Sequence, residues 1–175
     1  FFPAMASVFV YGSLLYDEVV SELLGRVPAT VEAALSGYRR YRVKDERFPA
    51  ICADETAFVE GRVLTALQDW EMRVLDEFED DGYVRTDVEV TVPGPLGGIL
   101  RTGAYVWPAD LKAQLDGPWV PEEHLEPHME EFLEMCRQFA AEEHILQIYP
   151  RALREQWAAE ADATVGEGQA EQVEG

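Results

Sequence analysis

The pattern of apolar and polar positions along the chain predicts six strands. Residues 83–92 give the clearest one, because valines alternate there with charged side chains, the period of a strand with one buried face. The predicted strands are 7–11, 31–35, 38–43, 58–66, 83–92 and 99–107. The glycine- and proline-rich residues 93–98 predict a hairpin between the last two strands, and residues 48–51 predict an extended turn.

Helical periodicity recurs in four segments, which are 17–24, 68–79, 121–143 and 151–161. In the first, Asp17 is predicted to cap the N-terminus and Gly25 to end the helix. The last dozen residues are polar and predict a disordered tail. This mixture of strands and helices predicts an α+β fold, a small mixed β-barrel with flanking helices and a C-terminal helical extension.

Length and net charge limit the number of domains and the kinds of binding partner that the sequence allows. A chain of 175 residues predicts one domain, and a formal net charge of −20 argues against nucleic acid or an anionic membrane as a partner. We assign 5–143 to the domain and 144–175 to an acidic helical extension with a polar tail. Because Met5-Ala6-Ser7 is typical of a natural start, residues 1–4 are expected to lie outside the fold. No signal peptide or apolar membrane-spanning run is found, which favours a cytoplasmic protein.

The sequence gives little support for a metal site or for a disulfide. Cys52 and Cys136 lie far apart and outside any CxxC motif, so we expect two reduced core thiols rather than a zinc site or a disulfide. His124 and His128 have the i, i+4 spacing of a metal pair on one helix face, but no third ligand is evident. The sequence therefore predicts no metal site.

The tetrapeptide Tyr11-Gly12-Ser13-Leu14 follows the first predicted strand directly. Such a turn presents backbone N–H groups beyond the strand end, and Gly12 allows a ligand to approach the backbone closely. Ser13 lacks the GxSxG context of a nucleophile, so binding through the backbone is favoured. An ordinary strand exit is the alternative. The nearby cluster Arg39, Arg40 and Arg42 either binds an anion or covers the solvent face of an edge strand, and we favour the second interpretation.

Glu79 stands out among the carboxylates between residues 76 and 81. It lies one turn after Leu75 and next to Phe78, so it continues the edge of the apolar helix face. A carboxyl directed toward a core has a raised pKa, which suits a general acid/base near neutral pH. The other acids of the run are interpreted as a solvated helix end.

Taken in order, three motifs resemble the gamma-glutamylcyclotransferase-like superfamily, and in particular its plant avirulence-induced-gene-like members. They are Tyr11-Gly12-Ser13-Leu14, Leu75-Asp76-x-Phe78-Glu79 and Tyr83-x-Arg85. The resemblance covers roughly residues 7–135 and implies a small mixed barrel with flanking helices. One departure lies at Asp80, where many members have glycine.

The resemblance also implies residue roles. Glu79 would be the catalytic acid/base, and the glutamyl part of the substrate would bind the turn formed by Tyr11, Gly12, Ser13 and Leu14. Tyr83 and Arg85 match the trailing pair of the motif, and Tyr105 resembles an aromatic residue that lines the cavity in relatives. Arg85 has the alternative of pairing with the acidic run, and Tyr105 that of a core tyrosine.

The implied reaction cyclises a γ-glutamyl amide to 5-oxoproline and releases the amine, without a metal or another cofactor. The alternative function is a non-catalytic module on the same fold that binds a small molecule or, through its acidic tail, a basic partner.

Overall fold

Among the described residues, five strands form a mixed sheet whose first and last strands pair with each other. The computed structural model describes residues 5–79, 82–95 and 97–170, and for 166–170 the backbone alone. The strands are β1 (Ala6–Val10), β2 (Thr30–Arg42), β3 (Pro49–Leu67), β4 (Val84–Val92) and β5 (Gly98–Val106). They follow the order β1-β3-β2-β4-β5 and close into a barrel, which confirms the predicted architecture.

Pairing in the barrel is antiparallel except at one seam. β1 runs antiparallel to β3 but parallel to β5, where Val8 faces Gly103 and Phe9 faces Ala104. β4 and β5 form the predicted hairpin, with Val92 opposite Gly98. The seam between β2 and β4 is narrow, since a single residue pair, Ala34 with Thr91, joins them.

β2 and β3 are longer than the sequence predicted. The predicted strands 31–35 and 38–43 are one strand, with an irregularity between Ser36 and Tyr38 where Gly37 has a φ of +85°. The predicted turn 48–51 is instead the start of β3, where Pro49 pairs with Arg42. Proline is tolerated as the first residue of a strand, which is why it did not interrupt the pairing.

In the part of the chain that the structure describes, six α-helices lie around the barrel. They are α1 (Asp17–Leu24), α2 (Asp69–Glu79), α3 (Pro121–His124), α4 (Met129–Ala141), α5 (Glu143–Leu146) and α6 (Arg151–Ala170). Gly25 ends α1 with a φ of +72°, as predicted. The predicted cap at Asp17 is wrong: Tyr16 is the N-cap residue, and the Asp17 carboxylate pairs with Arg62 instead.

Two helix predictions need correction. The single helix over 121–143 is divided into α3, a 3-10 turn (Glu126–His128), α4 and the start of α5, because Pro127 has no N–H to donate within a continuous helix. α6 reaches Ala170, so the predicted disorder is wrong for 164–170, because a helix that begins at Arg151 adds one hydrogen bond for each further residue and so extends past Gly166 and Gly168. Residues 171–175 lie outside the described part of the chain.

The core has two main parts. One fills the barrel around Phe9, Ile51 and Val63, all fully buried. The other lies between the barrel and α1, α2 and α4, and it also includes Ile145 and Tyr149. No helix among the described residues is both long and apolar enough to cross a membrane.

Candidate functional site

The 11–14 turn leaves the barrel at the end of β1 and enters a short 3-10 helix (Ser13–Leu15). Tyr11, Ser13 and Leu14 are buried. The carbonyl of Gly12 accepts a hydrogen bond from the N–H of Leu15. Within the described residues, no acceptor receives the N–H groups of Gly12, Ser13 or Leu14. The turn therefore offers three consecutive backbone donors.

Two arginines hold the 11–14 turn from the barrel side. Arg40 Nη1 donates to the carbonyl oxygen of Tyr11 at 2.8 Å, and its guanidinium stacks 5.0 Å from the ring centroid of Trp119. Arg62 Nη2 donates to the carbonyl oxygen of Leu14 at 3.2 Å. The interpretation of Arg40 as solvent-face decoration is wrong, because its guanidinium binds the carbonyl of Tyr11 and stacks on Trp119, whereas Arg39 forms an exposed pair with Asp54.

Glu79 is the last residue of α2 and lines the same cleft as the 11–14 turn. Burial raises the pKa of its carboxyl to about 8. Within the described residues, no group donates a hydrogen bond to this carboxyl. The group can therefore hold a proton at neutral pH and release it slightly above. Asp80, the departure from the family pattern, lies outside the described residues.

A polar network lies beside Glu79. The guanidinium of Arg85 binds Asp76 through two contacts, Nε to Oδ1 at 2.9 Å and Nη2 to Oδ2 at 3.1 Å. Tyr105 Oη donates to the same Oδ1 at 2.9 Å. Sequence reasoning treated Asp76 as part of the solvated run and missed this role. Its i, i+3 spacing from Glu79, which places both carboxyls on one helix face, was the available signal.

Three tyrosine rings line the cleft around Glu79, and their hydroxyls are engaged. Tyr11 Oη donates to the Tyr105 carbonyl, and Tyr83 Oη donates to the Pro49 carbonyl at 2.7 Å. Burial raises the pKa of Tyr11, Tyr83 and Tyr105 well above the usual value, and the Glu79 charge raises all three further. These tyrosines therefore remain neutral donors at physiological pH.

Glu79 and Tyr83 lie where three clefts meet. The turn cleft contains the 11–14 turn. The polar cleft, about 350 Å³, contains Asp76, Arg85 and Tyr105. The aromatic cleft, about 320 Å³, is lined on its apolar side by Phe48, Phe78, Phe132, Met135 and Phe139. The turn cleft is small, about 20 Å³, so a substrate that reaches Glu79 extends from it into the polar or the aromatic cleft.

The order of the motifs along the chain and the fold together match one known protein family. The family described as gamma-glutamyl cyclotransferase, AIG2-like, matches residues 8–126. The chain belongs to this family.

Individual members of the AIG2-like cyclotransferase family agree with this assignment. AIG2-like protein D of Arabidopsis thaliana is 44% identical over 138 residues, 79% of this chain and 91% of that protein. A solution structure of another Arabidopsis thaliana protein superposes with a TM-score of 0.60 at 35% identity, covering 78% of this chain and 82% of the other. A structure titled gamma-glutamyl cyclotransferase has a TM-score of 0.56 at 18% identity, covering 83% and 98%, and shows the shared fold alone.

None of the cysteines and histidines lines the three clefts at Glu79 in the described part of the chain. Cys52 and Cys136 are free and buried, and burial raises the pKa of both thiols. His124 Nδ1 accepts a hydrogen bond from the N–H of Val120 at 2.9 Å, so it closes the first turn of α3. Across 5–79, 82–95 and 97–165, no group of three or more His, Cys, Asp or Glu side chains is arranged to hold a metal ion.

Proposed function

We propose that this protein cyclises a γ-glutamyl amide to 5-oxoproline and releases the amine, with Glu79 as general acid/base. The observation that carries the proposal is the position of one carboxyl, its pKa raised to about 8, in the cleft that contains the 11–14 turn. Family membership supplies the reaction class, since the matching family is described as gamma-glutamyl cyclotransferase.

The bond changes lie within the substrate. Its α-amine nitrogen attacks its own γ-carbonyl carbon, a C–N bond forms in a five-membered ring, and the C–N bond to the leaving amine breaks. Intramolecular attack of this kind reaches effective molarities on the order of 10⁵ M when the geometry is held. The task of the protein is then to hold the cyclising conformer and to move one proton.

Glu79 is matched to that proton transfer. The α-amino group of a peptide has a pKa of about 8, and that of a γ-glutamyl compound is higher because its free α-carboxylate stabilises the neighbouring ammonium. Burial gives the Glu79 carboxyl a pKa of about 8, which is close to neutral pH and therefore suits a general acid/base. Glu79 takes one proton of the α-ammonium and returns it to the leaving nitrogen, and the attacking nitrogen releases its second proton to solvent as it becomes the lactam N–H.

The backbone N–H groups of the 11–14 turn are suited to stabilise a substrate oxygen that gains negative charge during the reaction. The N–H groups of Gly12, Ser13 and Leu14 have no acceptor within the described residues. Such a preorganised donor typically contributes roughly 3 kcal/mol to transition-state stabilisation. We assign the glutamyl carbonyl or α-carboxylate of the substrate to these donors.

The remaining predicted site residues form the walls of this pocket in our proposal. The rings of Tyr11, Tyr83 and Tyr105 exclude water around Glu79, and Arg85, held by Asp76, lines the polar cleft. We place the catalytic residues in 5–143 and regard 144–175 as an extension whose first residues, through Ile145 and Tyr149, complete the core of that domain. The two free thiols support a reducing compartment such as the cytoplasm. The net charge of −20 argues against a nucleic-acid or anionic membrane partner.

A substrate panel with matched variants tests the proposal. γ-Glutamyl amino acids, γ-glutamyl amines and glutathione are supplied, and 5-oxoproline is measured. Glu79→Gln should lower release at least about a hundredfold because it removes proton transfer. Glu77→Gln, an exposed change on the same helix, should leave release unchanged.

Two results would overturn the assignment. Undiminished release by folded Glu79→Gln would remove the acid/base role. Binding of the panel without any 5-oxoproline would instead support the non-catalytic alternative.

A further inference from the structure

The aromatic cleft beside Glu79 has a wall that belongs mainly to α4. Phe132, Met135 and Phe139 of α4 line the cleft together with Phe48 and Phe78. The match to the family ends at residue 126, before α4 begins, so this wall lies beyond the matched residues.

Ring packing fixes the shape of the wall. Phe78 meets Phe139 edge-on, with ring centroids 5.3 Å apart at 73°, and meets Phe132 at 6.4 Å and 87°. Edge-to-face pairs of this kind are favourable beyond the area they bury. Met135 lies at the mouth, with 45% of its surface exposed. The cleft is therefore a preformed apolar space open at one end.

Among the described residues, acidic side chains line the aromatic cleft and no basic side chain does. Its polar and charged members within the described residues are Ser13, Glu79, Tyr83, Gln138 and Glu142, and none is lysine or arginine. A carboxylate entering here would meet the carboxyl of Glu142 and no cationic partner. Desolvating an unpaired charge is costly, whereas an apolar group loses nothing by leaving water.

We propose that the aromatic cleft receives the leaving amine of the substrate and selects an apolar, aromatic amine that carries no carboxylate. This inference rests on the proposed cyclotransferase function and names its substrate class. The bond that breaks joins the γ-carbonyl carbon to the amine nitrogen. That nitrogen takes its proton from Glu79, so the amine leaves neutral, and it can then take up the second proton that the attacking nitrogen has released to solvent.

Three substrates that differ in one feature each test this selection in the wild-type protein. They are γ-glutamyl-ethylamide, γ-glutamyl-phenethylamide and γ-glutamyl-L-phenylalanine. The ring should raise kcat/KM for 5-oxoproline release about tenfold or more over the ethylamide, because hydrophobic pockets discriminate apolar groups on this scale. The added carboxylate of the phenylalanine substrate should lower kcat/KM at least about tenfold relative to the phenethylamide.

A charge placed at the mouth tests the same idea from the protein side. Met135→Lys adds a cation at an exposed position, so it should raise kcat/KM for the phenylalanine substrate about tenfold relative to the phenethylamide. Gln147→Lys adds the same charge at an exposed residue outside the cleft and should leave that ratio unchanged. Circular dichroism establishes that both variants fold.

The outcomes distinguish the aromatic-amine selection from the cyclotransferase function on which it rests. Equal kcat/KM for the three substrates, or a preference for the phenylalanine substrate, would overturn the aromatic-amine assignment and leave the cyclotransferase function intact. No 5-oxoproline from any substrate would overturn both. If Met135→Lys does not fold, the wild-type comparison alone decides the inference.

Discussion

Pro49 occupies the space that a side chain at Gly12 would need. An ideal Cβ on Gly12 would lie 2.7 Å from Cγ and 2.8 Å from Cδ of the Pro49 ring. The ring is rigid and buried at the first position of β3, so it cannot move aside cheaply. Glycine at this point therefore serves a close approach between the 11–14 turn and the barrel.

Gly12→Ala should displace the 11–14 turn. We expect a stability loss of about 1–3 kcal/mol, typical of overpacking, and a fall in kcat/KM of about tenfold or more, since the backbone donors would move from the substrate. Urea unfolding and 5-oxoproline release measure the two effects.

Pro49→Ala in the Gly12→Ala background tests whether the clash with the Pro49 ring causes these losses. Removing the ring relieves the clash, so the double variant should recover part of the activity that Gly12→Ala loses. Strictly additive effects of the two substitutions would show that the contact between these residues is not responsible.

The raised pKa of Glu79 makes wild-type stability depend on pH. The carboxyl titrates near 4.5 when unperturbed and near 8 in the folded protein. Between these values the unfolded chain loses a proton that the folded chain keeps, so stability falls as pH rises, and the full cost is reached above pH 8. Glu79→Gln should therefore be more stable than wild type by on the order of 5 kcal/mol at pH 9, with little difference near pH 4.

Thermal unfolding of both proteins across this range measures the effect, and Glu77→Gln serves as the comparison. A difference between Glu79→Gln and wild type that does not change between pH 4 and 9 would contradict the assigned titration.

The pH profile of kcat/KM should have its maximum near pH 8. Below it, both the Glu79 carboxyl and the substrate α-ammonium are protonated, so no base accepts the proton and kcat/KM falls about tenfold per pH unit. Above it, both have lost their protons and none remains for the leaving nitrogen. An acid limb near pH 4.5 would instead mean that Glu79 titrates normally in the free protein.

Arg40 positions the 11–14 turn without entering the proposed chemistry. Arg40→Leu leaves the carbonyl of Tyr11 without its donor and removes the stack on Trp119. We expect a stability loss of about 1–3 kcal/mol and a lower kcat at an almost unchanged KM. Arg39→Leu breaks the exposed pair with Asp54 and should have little effect on either measurement. Equal effects of the two substitutions would remove the positioning role.

Shortening the chain should have very different effects on either side of Tyr149. Ending it after residue 150 removes α6, including Trp157, whose ring lies 4.9 Å from that of Tyr149. Ending it after residue 144 also removes Ile145 and Tyr149, both buried. We expect the first change to lower stability by about 1–2 kcal/mol and the second by more than about 4 kcal/mol. Urea unfolding followed by circular dichroism compares the two, and equal stability would contradict the core role of Ile145 and Tyr149.

Local sequence patterns predicted the elements whose causes are local. The alternation in 83–92 and the turn at 93–98 predicted the β4–β5 hairpin, and Gly25 predicted the end of α1. Element boundaries that depend on distant partners were predicted less well. Residues 48–51 have the composition of a turn, but pairing with β2 makes them strand.

The same division holds for the candidate site. The order of the motifs, the inward edge of α2 at Glu79 and the strand-end glycine at Gly12 were visible in the sequence, since each depends on spacing along one element. The support from Arg40, Asp76 and Pro49 was not visible, because these contacts join residues 29, 29 and 37 positions apart through the closure of the barrel. Sequence by itself determined which groups are present and how each element orients them. Only the tertiary structure decided which of them meet, because burial and partners, not residue type, set the pKa of Glu79 and the position of the 11–14 turn.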